Sequence, residues 1–183
     1  MAKIIKYVLC ALCIVTLSAC TSNNKNVSDN HQRDGIEYIV SEEVKFHYPD
    51  NFEVTNISVE KITDQDIPKM LTFTTENESL FYVGLSNESD NTKEQREVLF
   101  IEDLKQIGLI EVLAKEVVLE SGDSAQQIDC LEESTGLQIQ LISVYEEEVQ
   151  HIYGYYTNHE VYDKNHEVIN QYLMTLVVDE GVK

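Results

Sequence analysis

Apolar and polar positions along the chain change in short runs, and those runs follow a recognisable order. Tyr38-Ile39-Val40 and Val44-Lys45-Phe46-His47-Tyr48, set around Glu42-Glu43, predict two short strands that end at Pro49-Asp50-Asn51. Residues 52–61 show no clear period. Asp64-Gln65-Asp66 before Pro68 predicts a turn, and Met70-Leu71-Thr72-Phe73-Thr74 pairs with residues 80–85 across Glu76-Asn77-Glu78 as a hairpin. A helix follows over residues 92–107. Thr92 with Gln95 three residues on is a capping-box pattern, Phe100, Ile101, Leu104 and Ile107 fall on one stripe, and Gly108 is a stop.

Four strand-like runs come next, at 110–119, 125–131, 137–145 and 149–157. They are separated by Ser121-Gly122-Asp123, Ser134-Thr135-Gly136 and Glu146-Glu147-Glu148, which predicts an antiparallel meander. Leu137, Ile139 and Leu141 alternate with Gln138 and Gln140, the pattern of a half-buried strand. Val168, Ile169, Tyr172 and Leu173 mark a short helix over 165–174, and Leu176-Val177-Val178 adds a last strand or packs along the sheet. The expected class is α+β: one antiparallel sheet packed with helices, in a single domain.

Before this domain the pattern changes character. Lys3 and Lys6 precede an apolar run from residue 7 to 17, which ends in Leu17-Ser18-Ala19-Cys20. A basic start, a short apolar segment and small residues before a cysteine form a secretory signal of the bacterial lipobox kind, cleaved before Cys20. A transmembrane anchor would need roughly 20 apolar residues, and this run is shorter. The expected organisation is a lipoprotein signal peptide over 1–19, a lipidated Cys20 with a flexible tether over 20–35, and one domain over 36–183. Residues 21–35 are polar and rich in Asn and Ser, so about 15 of them reach on the order of 20 Å. The expected location is the bacterial cell envelope, outside the cytoplasm, with membrane lipid as a partner through acylated Cys20.

Charge narrows the partners. The chain carries 33 Asp plus Glu against 13 Lys plus Arg, a formal charge of -20. Such a surface repels nucleic acid and anionic headgroups, so attachment falls to the lipid, and the partner is expected to be an envelope protein or a cationic ligand. With Cys10 and Cys13 in the signal and Cys20 acylated, Cys130 remains alone, and no internal disulfide can form. Its neighbours Asp129, Glu132 and Glu133 disfavour a thiolate, so it reads as a small buried hydrophobe.

Candidate chemistry is sparse. Gly122-Asp123-Ser124 with Asp163-Lys164-Asn165-His166 imitates the blocks of SGNH-type hydrolases, with Ser124 as nucleophile and His166 as base. There the serine opens a helix near the start of the domain; here it comes late and leads into a strand. His159-Glu160-Val161-Tyr162-Asp163 and His166-Glu167-Val168-Ile169-Asn170 both lack the second histidine of a zincin motif, and no calcium-loop spacing occurs, so no metal or cofactor is expected. The candidate binding patch is the turn Glu146-Glu147-Glu148 with Tyr153 and Tyr155, charge for steering beside aromatics for contact.

The order of elements resembles the PsbP-like family, which includes bacterial DcrB-like lipoproteins and a eukaryotic Ran-binding factor. The resemblance rests on the Phe46-His47-Tyr48-Pro49 strand end, the central amphipathic helix and the 119–126 segment with Gly122 and Ala125. It extends through the meander ending in Tyr153-Gly154-Tyr155-Tyr156 to the close at 173–178. Where many relatives carry a Trp after the first strand, this chain has Phe52. The resemblance implies a central antiparallel sheet between helices, an α/β/α sandwich, and action by binding rather than catalysis. The expectation is therefore a membrane-anchored, non-catalytic binding or assembly module, with the hydrolase as the alternative.

Overall fold

The structure is a computed structural model. It describes residues 35–56, 70–86, 91–146 and 148–178, so the signal segment 1–19, Cys20, the tether before Gly35 and Glu147 lie outside the described residues. The first apolar runs form β1 (Ile36–Ile39) and β2 (Val44–Tyr48), an antiparallel hairpin that places Tyr38 opposite Phe46. The Ser41 hydroxyl closes its turn by accepting from the Glu43 and Val44 N–H groups. Next come β3 (Glu53–Asn56), β4 (Leu71–Thr74) and β5 (Glu78–Ser86). β3 arises where the sequence shows no period because Glu53, Val54 and Thr55 are all exposed at a sheet edge, and nothing there forces alternation.

The expected first helix is α1 (Lys93–Gln106). Its capping box forms as the sequence indicates: Thr92 Oγ1 accepts from the Gln95 N–H at 3.4 Å, and the Thr92 N–H donates to Gln95 Oε1 at 3.0 Å. Gly108, at φ +98, turns the chain out of the helix. The meander follows as β6 (Leu109–Val118), β7 (Ser124–Glu132), β8 (Gln138–Glu146) and β9 (Val149–Thr157), then α2 (His159–Leu173) and β10 (Val177–Val178). α2 begins six residues before the expected start at Asn165. Asn158 Oδ1 accepts from the Val161 N–H at 3.0 Å and caps a first turn whose His159 and Glu160 precede Val161 and Tyr162.

The main sheet has the order β3-β4-β5-β9-β8-β7-β6, and β1-β2-β10 form a second sheet of three strands. All pairings are antiparallel, and the central one joins β5 to β9, with Tyr82 opposite Tyr153. One face of the main sheet is covered by the small sheet and α2: Phe46, Phe73, Tyr82 and Tyr153 meet Ile169 and Leu173 there, with the Phe46 and Tyr153 ring centroids 4.3 Å apart. The other face is covered by α1, whose Phe100 and Leu104 pack with Phe81, Ile128, Cys130, Leu141 and Ile152. Gly154 is needed at this layer, because a Cβ there would lie 2.7 Å from Leu141 Cδ2 and collide with the Phe81 ring. Both faces being covered also corrects the reading of β8 as half-buried: Gln140 is 3% exposed, and its face continues through Ile142 and Val144 in the core beneath α2 and the small sheet.

Candidate binding surface

Tyr153 and Tyr155 do not reach the surface; each is 0% exposed. Both point to the sheet face that the small sheet and α2 cover. The Tyr153 hydroxyl donates to the His47 carbonyl at 2.9 Å, and the Tyr155 hydroxyl to Glu78 Oε1 at 2.7 Å. Burial raises both phenol pKa values, so the hydroxyls stay protonated as donors. The two rings are therefore core, and the patch expected from them reduces to its acidic turn. Of that turn, Glu148 is exposed, Glu146 is half-buried, and Glu147 lies outside the described residues. Beside it, on α1 and β8, the Arg96 guanidinium sits 5.1 Å over the Tyr145 ring, while the Tyr145 hydroxyl donates to the Arg96 carbonyl.

Behind the turn lies a cluster that no sequence motif announces. Tyr82 Oη and His151 Nδ1 are 2.8 Å apart in the core, and Glu146 Oε2 is 3.6 Å from His151 Nε2. Desolvation pushes the imidazole down to about 4 and, with the Glu146 charge second, raises the Tyr82 phenol. At pH 7 the ring is thus neutral and the phenol protonated, and the Glu146 carboxylate near Nε2 favours the tautomer that carries its proton there, in which Tyr82 donates to Nδ1. The readable signal was a histidine at 151, between the apolar positions of a strand. With Tyr82 0% and His151 5% exposed, this pair is built into the core.

A second polar layer lies beneath the first half of α2. Tyr162 stacks between Tyr155 and His166, at centroid distances of 6.1 and 5.0 Å. Its hydroxyl donates to Asp129 Oδ1 at 3.1 Å, Gln127 Nε2 donates to the other oxygen, and Asn165 Nδ2 donates to Glu78 Oε1 at 2.9 Å. These bonds seat an amphipathic helix on a partly polar sheet face, and they account for Glu78 and Asp129 lying half-buried there.

The groups of the hydrolase alternative go to separate places. Ser124 opens β7 and its hydroxyl donates to Glu116 Oε1 at 3.1 Å in an exposed hairpin, while His166 Nδ1 meets the Tyr162 carbonyl of its own helix at 2.9 Å. Cys130 is 3% exposed, and burial, with the Asp129 charge second, pushes its thiol up to about 12. Among the described residues no group of three His, Cys, Asp or Glu is placed to hold a metal ion, and no helix is long and apolar enough to cross a membrane.

No family model matches the sequence, and no curated protein matches it. Solved structures do. The chain is similar to cyanobacterial PsbP (CyanoP) from Synechocystis sp. PCC 6803, with a TM-score of 0.55 and 13% identity over 82% of this chain and 98% of that one. It is also similar to the Saccharomyces cerevisiae Ran-binding protein Mog1p, with a TM-score of 0.50 and 11% identity over 80% of this chain and 96% of that one. At such identities the likeness concerns the fold: the α+β architecture, mostly antiparallel sheet with two helices packed on it, is PsbP-like.

Proposed function

We propose that the protein is a lipid-anchored module of the bacterial envelope, DcrB-like in organisation, which binds or assembles with a cationic partner and carries out no catalysis. Cys20 is its attachment to the membrane, residues 20–35 its tether, and residues 36–183 its single domain. The observation that carries the reading is where the charge lies. The side chains that could do chemistry are tied into local bonds, Ser124 to Glu116 and His166 to Tyr162, whereas carboxylates such as Glu148 stand exposed on a chain of charge -20. The fold is also one on which a yeast Ran-binding protein is built, which supports a role in protein binding. Charge of one sign steers a partner of the other and suppresses wrong ones.

Crosslinking of the full chain in native membranes, combined with a fatty-acid analogue and a fluorophosphonate probe, tests this. The expected outcome is fatty-acid labelling that Cys20→Ser abolishes, capture of a basic envelope protein, and no fluorophosphonate adduct. An adduct lost in Ser124→Ala would favour the hydrolase instead, and labelling unchanged in Cys20→Ser would remove the anchor.

A further inference from the structure

The main sheet ends in two edge strands that differ in kind. β3 is four residues long, whereas β6 runs for ten and, among the described residues, pairs with β7 alone. A free edge is usually kept short, because its unpaired N–H and C=O groups are a template for another strand. A bulge interrupts the start of β6: its register with β7 shifts between Ile110 and Leu113, and Glu111 takes φ +53. Beyond the bulge, Leu113 to Val118 pair residue for residue with Asp129 to Ser124, which gives about 20 Å of regular strand.

The hairpin fixes which backbone groups are free. The Leu119 N–H donates to the Asp123 carbonyl at 2.9 Å, so Leu119 faces β7. Alternation then turns the backbone of Val117, Lys115 and Leu113 toward β7 and that of Val118, Glu116 and Ala114 away from it. The three outward residues are exposed, and their side chains lie on the face that α1 covers, since Ala114 is opposite Ile128 of that core. α1 packs against β6 there and brings acidic groups to the edge. Partial burial, and the charges of Glu94 and Glu116 opposed by that of Lys93, raise the Glu97 carboxyl above its ordinary value. Three carboxylates thus share one lysine on this side, while Lys115 lies on the other face with Leu113. Val98, beside Glu97, is 59% exposed, and Val118 is 63% exposed on the strand itself. A second copy would bring the same carboxylates to the seam on a chain already at -20, so the charge favours a partner of opposite sign.

We infer that the β6 edge accepts an extended segment of a basic protein as an added strand, bonded to the backbone of Ala114, Glu116 and Val118, with lysine or arginine side chains toward Glu97 and Glu116. The inference rests on the proposed binding role and gives its cationic partner a shape and a place. The test is amide NMR of the full chain, titrated with a capped hexapeptide of alternating valine and lysine. One control is the same peptide N-methylated throughout, which keeps the charge and removes the pairing; the other replaces each lysine by glutamate. The lysine peptide is expected to shift the Ala114, Glu116 and Val118 amide signals saturably and to slow their exchange with water, and the two controls are not.

Glu116→Lys, at an exposed position, should melt with the wild type and bind the peptide about tenfold more weakly. Ala114→Pro removes an outward donor, spares the ladder to β7 and should abolish binding. An equal response to either control peptide, no response to the lysine peptide, or full affinity in Glu116→Lys would overturn the assignment. Protection of the same amides that grows with protein concentration alone, with a dimer in sedimentation, would overturn it in favour of a second copy. Capture of a basic envelope protein that Ala114→Pro leaves intact would overturn this assignment alone. A response of the edge to the peptide without capture in membranes would instead overturn the proposed role.

Discussion

His151 shows how one residue ties the core to pH. Its imidazole is held neutral by burial, with a folded pKa of about 4 against an ordinary 6.5. As pH falls through that window the unfolded chain takes up a proton that the folded one refuses, so stability declines from about pH 6.5 and the loss is complete below about 4. At ~1.4 kcal/mol per pH unit the gap amounts to ~3 kcal/mol, an upper bound because Glu146, 3.6 Å from Nε2, offers the protonated ring a counter-ion. His151→Gln keeps an acceptor for the Tyr82 hydroxyl and removes the titration. Denaturant unfolding at pH 7, 6 and 5 should show the wild type losing more stability than this variant, and parallel loss in the two would reject the account. Cys130 was legible at this scale, since its acidic neighbours and strand position already described a buried thiol. Tyr153 and Tyr155 were not, because alternation gives two faces without saying which of them a helix and a second sheet will cover.

At the scale of elements, legibility follows how local the determining bond is. The capping box of α1 is made by two residues three apart, and its start could be read off the sequence. The start of α2 is marked by the Asn158 cap, and its first turns are tied down by Tyr162 and Asn165, which bond to Asp129 and Glu78 on distant strands. The union of β5 with β9 joins residues far apart in the chain, Glu78 with Thr157 and Ser86 with Val149, beyond the reach of any local pattern, although the hairpins on either side were readable from their turns. α1 gives the direct test of placement. Leu104 is 2% exposed against Ile128 and Leu141, so Leu104→Asp buries an unpaired charge and should cost about 4 kcal/mol. Val98, on the same helix but 59% exposed, should tolerate Val98→Asp within ~0.5 kcal/mol. Equal midpoints for the two variants in urea would mean that α1 presents a different face to the sheet.

For the molecule as a whole, the strongest influence outside the core is its own charge. Thirty-three acidic side chains against 13 basic ones leave most carboxylates without a Lys or Arg to match them in number. Ion pairs such as Lys45 with Glu37 and Lys164 with Glu160 are exposed, and pairs of this kind contribute about 0–1 kcal/mol each. Net repulsion should therefore outweigh local attraction, and added salt should stabilise the fold. The screening length falls from ~30 Å at 0.01 M to ~10 Å at 0.1 M, so most of the effect belongs to that interval. We expect the thermal midpoint of the full chain to rise by ~3–5 °C between 10 and 200 mM sodium chloride, the size of a change of roughly 1 kcal/mol in a domain of this length. Potassium chloride should do the same, because screening depends on ionic strength and not on the identity of a monovalent salt. A midpoint that fell with salt would show that paired charges prevail over the excess.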